Sequence, residues 1–209
     1  MRAVLVANAK GGVGKTTAAA TLAAAFAVSG ARVALADADR QRSALRWAKL
    51  RPAAAAPVTP LDWSKDKAIG DAPKKLDWLV IDAPGAIKGD KAEALVAESD
   101  RIVAPLTPSV FDLAATEAFL DRLEEIRRMR KGKASVHVVA NRARKGRALN
   151  ALLVGLEARG HAPAALLTDR AAYPDLAAQG LTVFDRDLKS CLTLREAWQP
   201  LLDVLRQTR

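Results

Sequence analysis

Short apolar runs alternate along this chain with longer segments of helical periodicity. The run "LDWLVIDAPG" at 76–85 stays apolar up to Asp82, which is typical of a central parallel strand buried on both faces. Shorter runs of the same kind predict the remaining strands, at 2–7, 32–37, 101–106 and 135–141, with weaker candidates at 164–168 and near Val58. The candidate near Val58 lies within 51–75, a proline-containing segment that otherwise indicates a loop.

Helical segments separate these strands. The alanine-rich stretch at 15–30 should end at Gly30, and the segment at 148–160 should also end at its glycine. A third helix is expected at 41–50, before Pro52. Side chains that share one face predict two more helices. One is capped by Asp112 and has Leu113, Thr116, Leu120 and Leu123 on its apolar face. The other starts at Leu188 and has Leu194, Trp198, Leu201, Leu202 and Leu205 on its apolar face.

This alternation predicts the fold class. Strands joined by helices of ten or more residues form βαβ crossovers, so we expect an α/β fold with a mostly parallel sheet flanked by helices on both faces. A length of 209 residues favours one domain over 1–209. The last helix should pack on the sheet through its leucines.

The stretch "NAKGGVGKTT" at 8–17 joins the first strand to the first helix. Backbone N–H groups of such a glycine-rich turn converge on phosphate oxygens at a helix N-terminus. Lys15 would reach the β- and γ-phosphates, and the hydroxyl of Thr16 would bind Mg²⁺. Ala9 stands where the usual phosphate-loop pattern has its first glycine, and Lys10 adds a second lysine. The predicted nucleotide-binding residues are Gly11, Gly12, Val13, Gly14, Lys15, Thr16 and Thr17.

Three aspartates end predicted strands near this loop. Asp82 closes the run at 76–82, where a P-loop protein keeps the carboxylate that orders magnesium through a water. Asp37 and Asp39 are two residues apart in "LADADRQ", and in extended geometry both would point toward the phosphates. We expect Asp39 to activate the attacking water and Asp37 to brace that water or the magnesium.

The charge balance indicates polyanionic partners. The chain has a formal net charge of +10 and a pI of about 10.1. Nine basic residues and no acidic one lie within 127–147, in two groups at 127–133 and 142–147 that a predicted strand separates by about 20 Å. The lone Cys191 excludes an internal disulfide and should be a packing residue. The short apolar start leaves no room for a signal peptide, so we expect a cytoplasmic protein.

Four segments together carry a family resemblance: "KGGVGKTT", "DADRQ", "LVIDAPG" and "PLTPSVFDLAAT". With them the chain resembles the ParA/MinD family of deviant Walker ATPases over residues 1 to about 185, and most closely the small ParA partition proteins that lack an N-terminal DNA-binding domain. The resemblance implies a P-loop NTPase fold and a Mg²⁺-dependent ATPase that dimerises on ATP. Arg40 departs from the family, which often has proline there, and Ala9 replaces a frequent glutamine.

The resemblance also implies roles for individual residues. Lys10 matches the signature lysine, which in an ATP-bound dimer reaches across the interface to the phosphates of the partner. Asn141 matches the asparagine that hydrogen-bonds adenine. The segment 107–112 corresponds to part of the dimer interface, and 173–185 corresponds to a stretch near the base and ribose.

An ATPase that dimerises on ATP could bind one of two kinds of surface, DNA or a membrane. A ParA-like dimer would bind non-specific duplex DNA, with Arg142, Arg144, Lys145 and Arg147 as candidate contacts, and it would segregate a plasmid, a chromosome or a protein cluster on the nucleoid. A ParB-type adaptor would then stimulate hydrolysis. A MinD-like protein would instead bind a membrane through its C-terminal helix, but Glu196, Pro200 and Asp203 argue against membrane contact. A metabolic P-loop enzyme related to dethiobiotin synthetase is the remaining alternative.

Overall fold

The computed structural model describes residues 1–65, 69–85, 89–108, 117–122, 125 and 134–207. Seven strands form one sheet: β1 (Arg2–Val6), β2 (Val33–Asp37), β3 (Val58–Asp62), β4 (Trp78–Asp82), β5 (Arg101–Leu106), β6 (Ser135–Ala143) and β7 (Ala165–Thr168). Their order is β3-β2-β4-β1-β5-β6-β7, and every neighbouring pair is parallel. The predicted α/β class and parallel sheet are therefore confirmed.

Helices follow most of the strands. They are α1 (Lys15–Val28), α2 (Ser43–Leu50), α3 (Asp90–Glu98), α4 (Arg147–Ala158), α5 (Ala172–Ala177) and α6 (Lys189–Arg206), with a 3₁₀ turn at Val183–Asp185. Gly30 and Gly160 follow α1 and α4 with φ of +87° and +73°, as expected of glycines that stop helices. Residues 117–122 are also helical and bury Leu120, whereas Asp112, Leu113, Thr116 and Leu123 of that predicted helix lie outside the described residues.

Two apolar clusters cover the two faces of the sheet. On one face α1 is buried almost all round, because its small alanines let it lie close against the strands. Phe26 of α1 stacks on Trp78 of β4 with ring centroids 4.0 Å apart. The other face is packed by residues such as Leu95 of α3 and Leu152 of α4.

The C-terminal helix α6 packs on the sheet, as predicted. Its buried side chains are Cys191, Leu194, Trp198, Leu201, Leu202 and Leu205. All six belong to the same cluster as α1, so the packing role expected of Cys191 is confirmed as well. Across the described ranges, no helix has both the length and the apolar character needed to cross a bilayer.

The strand order brings the predicted site residues to one edge of the sheet. β1 lies at the centre between β4 and β5, and the glycine-rich loop leaves its carboxyl end. Asp82 of β4 is in register with both Val6 of β1 and Asp37 of β2. The carboxyl edge of a parallel sheet is where such folds bind ligands, so the loop and both aspartates meet where a nucleotide site is expected.

Candidate nucleotide-binding site

The loop at 8–14 has the backbone of a phosphate-binding turn. Gly12 and Gly14 adopt left-handed conformations with φ of +77° and +93°, and Gly14 is the N-cap of α1. A Cβ on Gly14 would lie 2.3 Å from Nδ2 of Asn141, so a larger residue here would displace that amide. α1 begins directly after this loop, and a helix N-terminus attracts anions through its dipole and its first N–H groups.

Lys15 is held inside its own loop. Its side chain is buried, and Nζ donates a hydrogen bond of 2.8 Å to the carbonyl oxygen of Lys10. Burial lowers the pKa of Lys15, and the carboxylates of Asp82 and Asp39 act in the opposite direction. A buried ammonium group among backbone donors is suited to contact a phosphate of the same subunit.

Thr16 and Asp82 form the other half of the phosphate site. Oγ1 of Thr16 donates a hydrogen bond of 2.7 Å to Oδ2 of Asp82. Asp82 is 1% exposed, and within the described part of the chain its Oδ1 has no hydrogen-bond partner. Burial raises the pKa of Asp82 to about 7, against the opposing hydrogen bond from Thr16.

This arrangement fits a hydrated magnesium ion. Mg²⁺ prefers oxygen ligands and retains several of its waters. A threonine hydroxyl beside a buried carboxylate with an unsatisfied oxygen supplies one direct ligand and one acceptor for such a water. The positive charge would also favour the ionised form of Asp82, which burial disfavours.

Asp37 anchors the loop that follows β2. It is fully buried, and its two oxygens accept hydrogen bonds of 3.0 Å from the backbone N–H groups of Asp39 and Leu45. Burial raises its pKa, and the backbone hydrogen bonds oppose that shift. The argument that Asp37 and Asp39 share one extended strand is wrong, because β2 ends at Asp37 and Asp39 already lies in a turn.

Asp39 is half-buried at the phosphate end of the sheet. Its Oδ1 accepts a hydrogen bond of 2.9 Å from the N–H of Gln41, and its Oδ2 lies 4.0 Å from the position that a Cβ would take on Gly85. The side chain therefore faces the segment that follows Asp82. Asp39 contributes to the field that acts on both Lys15 and Asp82, so the three groups form one electrostatic cluster.

A cavity lies beside the loop, on the side of β6 and β7. Asn141 borders it, donating from Nδ2 to the carbonyl oxygen of Val13 over 2.9 Å and accepting through Oδ1 from the N–H of Arg142. Tyr173 and Trp198 line the cavity, and Nε1 of Trp198 donates to the Tyr173 hydroxyl over 3.1 Å. Aromatic and amide groups that line a cavity next to a phosphate loop are suited to contact a nucleobase.

The second basic group lies at the same edge as the cavity. Arg142 borders the cavity in a left-handed conformation with φ of +52°, and Arg144 pairs with Asp169 at 2.7 Å. Lys145 and Arg147 are exposed. The first group, 127–133, and most of the segment 107–112 lie outside the described residues, so the structure describes only one of the two basic groups.

Sequence reasoning missed two features of the site. Lys91, in the first turn of α3, donates to two backbone carbonyls beside Asp39. Trp198 was expected only as a packing residue of α6, yet it also borders the cavity. Lys91 was missed because a lysine that binds backbone carbonyl groups produces no recognisable spacing of residues in the sequence. Trp198 was missed because the apolar pattern of α6 does not indicate which of its residues borders a cavity.

Comparison with known proteins decides the family. Residues 4–183 match the model of the CobQ/CobB/MinD/ParA nucleotide binding domain. The chain belongs to this family. Membership makes it a Walker ATPase of the ParA/MinD type, as its sequence motifs and the geometry of its phosphate loop already indicate.

Several members of the ParA/MinD family are similar to this chain. A Gloeobacter kilaueensis protein named maintenance of carboxysome distribution protein A is 40% identical over 118 residues, which cover 54% of this chain and about half, 52%, of that protein. The protein of the same name from Halothiobacillus neapolitanus is 28% identical over 207 residues, or 96% of this chain and 94% of that one. The solved apo McdA of Cyanothece has the same fold, with a TM-score of 0.76 at 17% identity over 98% of both chains.

Proposed function

We propose that this ParA/MinD-type ATPase is a nucleotide-dependent switch that dimerises on ATP and Mg²⁺, binds duplex DNA as a dimer, and positions a large cargo. One observation carries the proposal: the phosphate loop contains two lysines, of which Lys15 is buried within its own loop while Lys10 is only half-buried. A second, more accessible cation is not needed to hold phosphate within one subunit. It is suited to reach a nucleotide in a second copy of the chain.

Electrostatics explains why such a lysine would make dimerisation depend on ATP. Two ATP molecules that face each other across an interface repel, so a cation donated from each subunit to the nucleotide of the other offsets that repulsion. The same cation would stabilise charge that develops during phosphoryl transfer, in the manner of an arginine finger. Lys10 would thus act both as a sensor of ATP and as a clamp between subunits.

Mg-ATP is the proposed nucleotide form. Thr16 and, through a water, Asp82 would hold magnesium, Lys15 would contact the phosphates, and the amide of Asn141 would contact adenine. Related proteins support this choice, since one solved structure of Cyanothece McdA is an ATP complex and a solved MinD of Pyrococcus horikoshii is complexed with Mg-ADP.

Asp39 is the proposed water-activating residue. It lies close to Lys15 and Asp82 in the same electrostatic cluster, whereas the carboxylate of Asp37 accepts the backbone N–H groups that hold the Asp39 loop. Asp37 therefore contributes to hydrolysis through the position of Asp39. An adaptor of ParB type, encoded elsewhere, would stimulate the reaction and release the dimer from DNA.

The proposed cargo is a large protein assembly. The two curated relatives are named for carboxysome distribution, which favours a protein-bounded cargo over the plasmid that the ParA resemblance alone suggests. The proposed track is the nucleoid, bound through phosphate contacts from Arg144, Lys145 and Arg147. We further infer that residues 1–209 act as one domain.

Cosedimentation tests this proposal. The wild type is sedimented with duplex DNA or with anionic liposomes, each with and without Mg-ATP. A triple variant (Arg144→Gln, Lys145→Gln and Arg147→Gln) is compared with a control triple variant of equal charge (Lys49→Gln, Lys74→Gln and Lys75→Gln), whose exposed lysines lie in α2 and in the segment that leads into β4. Arg142 is left unchanged because it borders the nucleotide cavity.

Wild type and control should pellet with DNA only when Mg-ATP is present. The site variant should bind more weakly, and the slope of log affinity against log salt should become shallower by up to about 3 for each subunit that contacts DNA, since each subunit loses three phosphate contacts. Equal DNA binding by both triple variants would place the DNA surface elsewhere. Pelleting with liposomes alone would support a membrane switch instead.

A further inference from the structure

Lys91 occupies an unusual position at the start of α3. Its half-buried side chain leaves the helix toward the sheet, and Nζ donates hydrogen bonds of 3.1 Å to the carbonyl oxygen of Ala38 and 2.7 Å to that of Trp63. These two carbonyls follow β2 and β3. A single ammonium group therefore ties α3 to the two strands at one end of the sheet.

The same region is already linked by backbone hydrogen bonds. The N–H of Ala38 donates to the carbonyl of Asp82 over 3.0 Å, and the N–H of Trp63 donates to the carbonyl of Asp37 over 2.9 Å. β2 and β3 have ended at this point, and the next carbonyl oxygens along the two segments are those of Ala38 and Trp63. Nζ of Lys91 can donate a hydrogen bond to each of these oxygens, because an ammonium group has three donors that can be directed to different acceptors.

The peptide unit between Ala38 and Asp39 is consequently held at both ends. Its carbonyl oxygen accepts from Lys91, and its N–H donates to Oδ1 of Asp37 over 3.0 Å. Fixing both polar groups of a peptide fixes the orientation of its plane, and hence the direction in which the Asp39 side chain leaves the backbone.

We propose that Lys91 is a positioning residue for ATP hydrolysis, which sets the orientation of Asp39 from the first turn of α3. The inference rests on the proposed role of Asp39. Because α3 follows β4, whose last residue is Asp82, Lys91 also connects the chain segment after the proposed magnesium aspartate to the loop that carries Asp39. Both carbonyl oxygens that accept from Lys91, those of Ala38 and Trp63, lie outside the phosphate loop and the cavity beside Asn141. Its loss should therefore slow turnover and leave nucleotide binding intact.

The experiment separates turnover from binding. Lys91→Met keeps the length of the side chain and removes its donors and charge. Lys91→Arg keeps the donors and the charge. Lys65→Met is the matched control, since Lys65 is an exposed lysine that, like Lys91, lines a second cavity, beside Ala38 and Asp39. For each protein, kcat and KM for Mg-ATP are measured, together with the Kd of a non-hydrolysable ATP analogue.

We expect Lys91→Met to lower kcat by about tenfold or more, with KM and Kd changed by no more than about threefold. Lys91→Arg should recover most of the lost turnover, and Lys65→Met should match the wild type. A kcat equal to that of wild type, or a loss of analogue binding in proportion to the loss of turnover, overturns the inference. If Lys91→Met does not fold, Lys91→Gln takes its place, and equal kcat in wild type, Lys91→Arg and Lys91→Gln likewise overturns it.

The wild-type measurement distinguishes the two proposals. A wild type that binds the analogue but does not hydrolyse ATP contradicts the proposed function, and with it any positioning of Asp39. An active wild type whose Lys91→Met variant is equally active contradicts only the role of Lys91.

Discussion

At the scale of single residues, the site depends on buried ionisable groups whose charged forms are disfavoured by burial. Asp82 is 1% exposed and its pKa is raised to about 7 by burial, while the pKa of the neighbouring Lys15 is lowered for the same reason. Burying such groups costs stability unless they are paired. The phosphate loop therefore keeps a charge imbalance that Mg²⁺ and phosphate together would relieve.

The raised pKa of Asp82 predicts a pH-dependent stability of the metal-free protein. The unfolded chain releases this proton near pH 4 and the folded protein releases it near pH 7, so the contribution of Asp82 to stability falls as pH rises through that window. Asp82→Asn removes this loss while still accepting the Thr16 hydrogen bond. At pH 8 without metal, the variant should be more stable than wild type by roughly 1 to 3 kcal/mol.

Denaturant unfolding at several pH values checks this prediction. The difference between Asp82→Asn and wild type should shrink toward zero as the pH is lowered to 4.5. An unchanged difference across this range would show that burial does not raise the pKa of Asp82.

The sequence motifs predict which residues meet at the site, but they do not predict the individual hydrogen bonds of those residues. The spacing within "KGGVGKTT" and the position of Asp82 at a strand end place Lys15, Thr16 and Asp82 together, because a parallel sheet brings such ends to one edge. The geometry of Asp37 and Asp39 was misjudged, since the end of a strand cannot be located to one residue from its pattern. Lys91 was missed because its partners are backbone carbonyls.

At the scale of elements, a buried ion pair connects two parts of the molecule that are far apart in sequence. Arg51, just after α2, binds both carboxylate oxygens of Asp185 in the 3₁₀ turn, at 2.7 and 3.1 Å. The side chains are only 5% and 3% exposed. The guanidinium also donates to the carbonyl oxygens of Ala56 and Gly180, so the pair fixes how α2 meets the segment before α6.

Breaking this pair should be costly. Asp185→Asn leaves Arg51 buried with part of its charge uncompensated, and we expect it to lower the free energy of unfolding by about 3 kcal/mol. The control is Asp77→Asn, which removes an exposed ion pair with Arg32. The side chain of Arg32 is 59% exposed and that of Asp77 is 43% exposed. Chemical denaturation should show a much smaller loss for the control. Equal losses in the two variants would contradict the account.

Most elements could be predicted because their patterns were strong. The continuous apolar run of β4 and the alanine-rich α1 leave few alternatives, and even the edge strand β3 was expected near Val58. The helices α3 and α5 were not predicted. They span only nine and six residues, and so few turns give a weak periodic signal.

At the scale of the whole molecule, the fold brings two lysines of one loop to the carboxyl edge of a seven-stranded sheet. One is buried within its own loop and the other is more accessible. A formal net charge of +10 adds a general attraction to polyanions. The central claim is that each subunit lends Lys10 to the nucleotide of the other, which makes assembly depend on ATP.

Sedimentation velocity with a saturating non-hydrolysable ATP analogue and Mg²⁺ tests that claim most directly. The wild type should change from a monomer of 22.2 kDa to a species of twice that mass, whereas Lys10→Ala should bind the analogue and stay monomeric. A wild type that remains monomeric when saturated, or a Lys10→Ala variant that dimerises equally well, would contradict the account.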